Sequence, residues 1–339
     1  MALSILGIGT VTALGSGVET LQQGFEGNIV PNIEKESIQL PAGEIQLSVY
    51  KAAIEGLDRF IDKRALRRID RFAQIALLST YLAAENSGIE LTDPSRVGVI
   101  FGSSYGPTRT TFKFLDNIID DGDFGASPTH FANSVHNALA SQVSIFMKFT
   151  GPCSTVTCFE HTLSNVLLTA HNWLDDGICD YVLAGLGDEY CNVLGYAAAK
   201  AGAGKTDAVL PESFDQCSYL PGEGHITFLL GKEDENHPQI KEIKIRQNPD
   251  RINKAGLLKN KVVFFNANGW KAHNEAFTKI DFNQSEKKSV AHLIGSIPVS
   301  AAFDIAVAAL QKGRGESICL EYCDQNEFNL YNVQTRDCI

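Results

Sequence analysis

Long apolar runs, a basic surface and paired cysteines are all missing from this sequence. No stretch of its 339 residues approaches the roughly 20 apolar residues needed to span a bilayer. No early segment combines a basic start, an apolar core and a small-residue cleavage site. Membrane insertion is therefore not expected, and cytoplasmic residence is. The 29 Lys and Arg stand against 40 Asp and Glu, a formal net charge of -11. That deficit argues against a nucleic-acid binder, because neutralising phosphates needs a basic face. An acidic carrier domain also finds little long-range attraction here. The eight cysteines (Cys153, Cys158, Cys179, Cys191, Cys217, Cys319, Cys323 and Cys338) show no close pairing of zinc-site type. Several sit in apolar, strand-like runs, so reduced and mostly buried thiols are expected, with no metal and no cofactor. Low-complexity tracts and short repeats are absent too.

What is present is an alternating α/β pattern. With 44% apolar and 20% charged residues, the chain can bury a core of one large or two medium domains. Residues 3–14 read as a strand and turn leading into a helix over 18–24. Residues 66–87 place Ile69, Phe72, Ile75, Ala76 and Leu78 on one helical side. The apolar run 97–101 is closed by Gly102, as in a buried strand. A β-branched stretch over 154–159 runs directly into a helix over 162–173, and Gly177 stops it. Buried strands follow over 180–186 and 222–230. Beyond the charged segment 232–238, strands are expected over 240–245, 262–266, 317–322 and 329–333, with a helix over 298–311.

Several blocks, in order, resemble the β-ketoacyl synthase family and span nearly the whole chain. They are Gly7-Ile8-Gly9-Thr10-Val11-Thr12-Ala13-Leu14-Gly15, Asp70-Arg71-Phe72, and Arg96-Val97-Gly98-Val99-Ile100-Phe101-Gly102-Ser103. Next come Gly151-Pro152-Cys153-Ser154-Thr155-Val156-Thr157, the stretch 177–185, Phe214-Asp215, and Pro221-Gly222-Glu223-Gly224. Asn266-Ala267-Asn268-Gly269 and His292-Leu293-Ile294-Gly295-Ser296 resemble the two histidine motifs. The resemblance implies a thiolase-like α/β fold: two similar halves in a layered αβαβα arrangement, assembled as a dimer. The halves are expected over 1–231 and a shortened 239–339, with 232–238 as a charged linker.

The family's catalytic positions are largely replaced. A condensing ketosynthase needs a cysteine thiolate at a strand-to-helix turn, where the helix N-terminus lowers its pKa. In the family that cysteine lies eight residues after the proline of the Gly-Pro pair, and here the position is Glu160. Cys158 as a displaced nucleophile requires a deletion cancelled by an insertion, and it then falls inside the strand as a buried core thiol. The first histidine position is Asn268, an amide that cannot carry a proton. His273, five residues on, reads as a loop histidine. The second histidine is retained as His292, with Lys287 or Lys288 in the place of the family lysine. Together with Glu160 these imply a closed structural cluster. The family's glycine-rich C-terminal loop is replaced by Cys323-Asp324-Gln325-Asn326-Glu327-Phe328, so close backbone approach is not expected there.

No catalytic residue is therefore expected. The resemblance implies a chain-length-factor-like subunit that pairs with an active ketosynthase of polyketide, aryl polyene or fatty-acid type. In that setting Ser134, Val135, His136 and Asn137 align with the segment that reaches toward the partner's tunnel, and the acyl carrier protein is a further possible partner. Two other readings stay open: a malonyl-carrier decarboxylase for priming, which needs both histidines, and a homodimeric acyl-binding protein.

Overall fold

The computed structural model describes residues 2–204, 206–211, 218–313 and 315–335. Phe214, Asp215, Cys217 and Cys338 lie outside them. The strands in chain order are β1 (Leu3–Thr12), β2 (Gly15–Ser16), β3 (Ile33–Leu40), β4 (Gly43–Tyr50), β5 (Val97–Gly102), β6 (Cys153–Val156) and β7 (Tyr181–Asp188). They continue as β8 (Gly224–Gly231), β9 (Gln239–Gln247), β10 (Val262–Phe265), β11 (Glu286–Lys288), β12 (Glu316–Tyr322) and β13 (Phe328–Gln334). Among the described residues, β3 and β4 form a separate hairpin and the other strands join in one mixed sheet.

That sheet repeats one topology twice. In the first half β1 runs antiparallel to β8, β8 antiparallel to β7, and β7, β5 and β6 are mutually parallel neighbours. In the second half β9, β13, β12, β10 and β11 follow in the same order with the same directions. The halves meet where β1 pairs with β9, at Leu3↔Ile240 and Ser4↔Gln239. Residues 232–238, between β8 and β9, are tied to β1 by hydrogen bonds from Ile5 N to Pro238 O (2.8 Å) and from Asp234 N to Ser4 Oγ (2.7 Å).

Strand periodicity sorts side chains into layers. Ile100 of β5 and Phe264 of β10 point into one shared core, filled by helix Thr162–Asp175 and helix Ala301–Ala309. Val99 and Phe101 point the other way, onto helix Arg71–Ser87. Val263 and Phe265 likewise pack with helix Lys271–Phe277 on the far side. The order helix, sheet, helix, sheet, helix is the layering that the resemblance implies.

Local signals set the helix ends. Asp70 accepts from Ala73 N (2.8 Å) to open Arg71–Ser87, and Gly88, with φ 62°, closes it. The β3/β4 hairpin and the helix Thr108–Asp121 are additions that apolar patterning does not reveal. Half of each is solvent-facing, which dilutes the apolar signal.

The opening glycines are explained by helix Arg71–Ser87, which lies directly on β1. A Cβ on Gly9 would collide with the backbone oxygen of Ser79 and the backbone nitrogen of Ala83. Gly9→Ala should therefore destabilise the fold by about 3 kcal/mol. A lowered denaturant midpoint at unchanged m-value is the expected result.

Candidate functional site

Three segments converge at the end of β6. The chain leaves the strand after Val156, sooner than the β-branched run to residue 159 implies. Phe159 takes a left-handed backbone (φ 44°) at the start of the turn Phe159–His161. The turn feeds helix Thr162–Asp175 and presents Glu160, half-buried, at its entry. Thr162 Oγ1 accepts from Cys158 N (3.0 Å), and His161 O accepts from Asn165 Nδ2 (2.8 Å). Cys158 itself is exposed, not buried in the strand as its apolar surroundings imply, because the strand has already ended. Cys153 is also exposed, whereas Cys179, Cys191, Cys319 and Cys323 are buried.

The second segment follows β10. Gly269 has φ 85°, and a Cβ there would meet the backbone of Ser218, so the turn closes tightly against the first half. Asn268 Oδ1 accepts from Trp270 N (3.1 Å), and the Ser296 hydroxyl donates to Asn268 O. The third segment is the turn between β12 and β13. It lacks glycine, yet it does come close: Cys323 Sγ donates to Glu160 O at 3.9 Å. Gln325 and Asn326 both adopt left-handed backbones (φ 59° and 61°), and Cys323 N bonds Glu327 O at 2.7 Å. The turn thus forms without glycine, at a cost of about 1 kcal/mol for the left-handed glutamine.

The first two of these segments help bound a cavity of about 460 Å³. Glu160, Asn268 and His273 line it, with an aromatic wall of Tyr105, Phe159, Tyr219 and Trp270. Tyr105 is held in place by Asp188, which accepts from Ser103 Oγ (2.5 Å), Ser104 N (3.0 Å) and Tyr105 N (2.8 Å). Burial pushes Asp188 up to about 6, against these hydrogen bonds. The phenols of Tyr105 and Tyr219 share a hydrogen bond. No cysteine lines the cavity among the described residues.

His273 lies in helix Lys271–Phe277 and not in a loop. It is buried against Tyr322 (ring centroids 4.6 Å), and burial pushes its pKa down to about 3. Its Nδ1 has no hydrogen-bond partner among the described residues. His292, on helix Ala291–Ile294, keeps its ring partly exposed while the surrounding apolar groups push its pKa down. Among the described residues no hydrogen bond or ion pair joins it to Glu160, so the closed cluster of Glu160, His292 and a lysine is not assembled. The lysines are engaged elsewhere because β11 is the outermost strand of its half. Lys288 pairs with Glu286 (3.2 Å) and bonds Gln311 (3.2 Å), and Lys287 lies 6.0 Å over the Phe282 ring.

Residues that sequence reasoning missed include Glu321, fully buried on β12. It accepts from Asn329 Nδ2 (3.0 Å) and from the Tyr331 hydroxyl. Burial pushes it up to about 7, and the Glu160 charge adds to the rise. A lone acid inside an apolar strand run was the available signal.

Ser134, Val135, His136 and Asn137 lie away from the cavity, between helix Pro128–Asn133 and helix Ala138–Met147. The His136 ring packs on Gly106, and Ser134 O accepts from Thr111 Oγ1 (3.3 Å). Val135, Phe131, Phe124 and Ile119 are all exposed around them, the last at 78%. On helix Thr108–Asp121, Phe112, Leu115 and Ile119 form an exposed apolar stripe. Among the described residues β6 ends the sheet on that side with no strand beyond it.

Comparisons with known proteins agree with this architecture. Residues 58–198 match the family described as beta-ketoacyl synthase, N-terminal domain. The chain is 28% identical over 244 residues to the 3-oxoacyl-[acyl-carrier-protein] synthase 2 of Coxiella burnetii, covering 67% of this chain and 55% of that protein. It is 27% identical over 244 residues to a putative polyketide beta-ketoacyl synthase 2 of Streptomyces coelicolor, covering 68% and 56%. The chain thus spans about half the length of the curated relatives it matches. Its fold is similar to that of the ishigamide ketosynthase/chain length factor, with a TM-score of 0.77 at 14% identity over 99% of both chains. It is also similar to the ketosynthase ApeO in complex with its chain length factor ApeC from Xenorhabdus doucetiae, with a TM-score of 0.78 at 13% identity over 99% and 98%.

The Glu321 environment has a measurable consequence. Its folded pKa of about 7 lies above its ordinary 4.5, so the folded state holds the proton more tightly. Its contribution to stability is full below pH 4.5 and is lost as pH rises through 7. Glu321→Gln keeps an acceptor without the charge. Between pH 5.5 and 8.5 it should lose less unfolding free energy than the parent, by on the order of 2 kcal/mol. Denaturant titrations at the two pH values measure the difference.

Proposed function

From the premise that this chain is a relative of the β-ketoacyl synthases and shares their fold, we propose that it is a non-condensing subunit. It pairs with a cysteine-bearing ketosynthase and helps shape that partner's acyl tunnel. The observation that carries this reading is Glu160: a carboxylate stands at the strand-to-helix turn where condensation needs a thiolate, and among the described residues no cysteine lines the cavity around it. A carboxylate is a poor acyl carrier, and Asn268 cannot supply the proton chemistry of a histidine. Malonyl decarboxylation is disfavoured by the same two residues, since Glu160 repels a malonyl carboxylate.

The partner is supported by the unpaired edge of β6 and the neighbouring apolar stripe of Phe112, Leu115 and Ile119. Such a surface is a liability for an isolated chain. An obligate interface of this type buries more than about 2,000 Å². Solved structures of similar fold contain a ketosynthase together with a chain length factor, which fits a heterodimer. The position of Val135 beside this face, outside the Glu160 cavity, fits a role toward the partner's tunnel.

Co-expressed with its ketosynthase, the chain should purify as a one-to-one complex that condenses, while the chain alone should not. Ile119→Asp should abolish the complex without lowering the thermal stability of the separate chain. A complex that survives this substitution would place the interface elsewhere.

Within the intact complex, enlarging Val135 to Phe should shorten the product at a nearly unchanged rate per condensation step. Mass spectrometry of the released chains reads the length. An unaltered product would leave the subunit a scaffold without a tunnel role.

A further inference from the structure

We propose that the Glu160 cavity is a binding site for a small organic cation, an aliphatic ammonium group carried on a short apolar tail. The inference is independent of how the chain assembles, and it concerns what this cavity can hold in place of an acyl thioester.

Four features of the cavity select that chemistry. Among the described residues its single charged lining group is Glu160, and no ion-pair partner faces it there. Lys287 and Lys288, the cations nearest in the sequence motif, are engaged with Phe282 and with Glu286 and Gln311. The walls are aromatic: Tyr219 and Trp270 meet edge to face with ring centroids 4.8 Å apart, and Tyr105 and Phe159 meet likewise at 6.1 Å. Aromatic faces attract cations and do nothing comparable for carboxylates.

The third feature is His273. It is only 8% exposed, it lines the cavity, and its Nδ1 has no partner among the described residues. A buried polar atom of this kind is costly unless something bonds to it. Because burial holds the ring neutral, it can accept a hydrogen bond from an ammonium group without opposing its charge. The fourth feature is that the negative field of Glu160 meets no compensating cation on its other side, toward Glu321 and Cys323. Glu160 lies close enough to raise the pKa of both Glu321 and Cys323, and no positive side chain enters that balance. An anionic ligand would meet Glu160 without compensation. A volume of about 460 Å³ suits a small ligand with an apolar tail against Leu194 and Ala198.

Isothermal titration calorimetry on the purified full chain, with hexylammonium, hexanol and hexanoate as probes, tests the proposal. Hexylammonium should bind saturably and at least tenfold tighter than hexanol, with hexanoate weakest, and its affinity should fall as salt rises. Glu160→Gln, which conserves shape, should bring hexylammonium down to the level of hexanol while leaving the melting temperature unchanged. Trp270→Leu, which keeps the carboxylate, should weaken hexylammonium by about threefold to thirtyfold. Absence of saturable binding, hexanoate binding as tightly as hexylammonium, or an unaltered affinity in Glu160→Gln would each overturn the assignment. None of these outcomes depends on whether a ketosynthase partner binds, so failure here and failure of the proposed function are read separately.

Discussion

Two helices buried between two sheet halves carry the rest of this structure. Thr162–Asp175 and Ala301–Ala309 occupy equivalent places in the repeated topology, and every residue of the second is buried. Each has to present apolar surface on nearly all sides, because the first packs on β5, β6 and β7, the second on β10, β12 and β13, and their side chains share one core. Leu163, Val166, Leu167 and Ala170 do this on one, and Phe303, Ile305 and Val307 on the other. Each large side chain so buried contributes roughly 1.5–3 kcal/mol. The alanines let the helices approach the strands closely. The Glu160 turn is the entry to the first of these helices, so its position follows from the packing of the whole molecule.

The interior also carries acids that apolar packing alone would not select. Asp304 sits in the middle of the central helix Ala301–Ala309, where burial pushes its pKa well above the ordinary range. Glu189 is pushed up to about 8 beside Arg109, and Glu321 to about 7. Glu223, by contrast, has the Arg71 guanidinium against it and accepts from Ala52 N and Tyr190 N. At Glu189 the Arg109 guanidinium and backbone N–H lower the pKa, but desolvation by burial outweighs them.

Much of the fold was legible in the sequence because its strands are buried on both faces. Runs such as 97–101 and 180–186 read as strands without any alternation, and the helix over 162–173 showed its apolar side directly. The hairpin of β3 and β4 was not legible, since solvent on one side leaves only Ile38, Leu47, Val49 and Tyr50 to mark it. For the site, Glu160 was reached by counting from Pro152 and back from Gly177, and Asn268 from its motif. The partners of those residues could not be counted to. Tyr105, Tyr219, Trp270 and Cys323 come from four separate segments, and nothing in one strand's pattern announces which loop of the other half will lie against it.

The sequence by itself determined the alternation of strand and helix, and placed a carboxylate at Glu160 and an amide at Asn268. Those are properties of residue type and spacing, which a chain carries whether folded or not. Only the tertiary structure decided that His273 and not His292 lines the cavity, and that both lysines turn away from it. It also decided that a turn without glycine still reaches Glu160. Each of these depends on which segments the two sheet halves bring together and how much water they exclude, and no local pattern encodes either quantity.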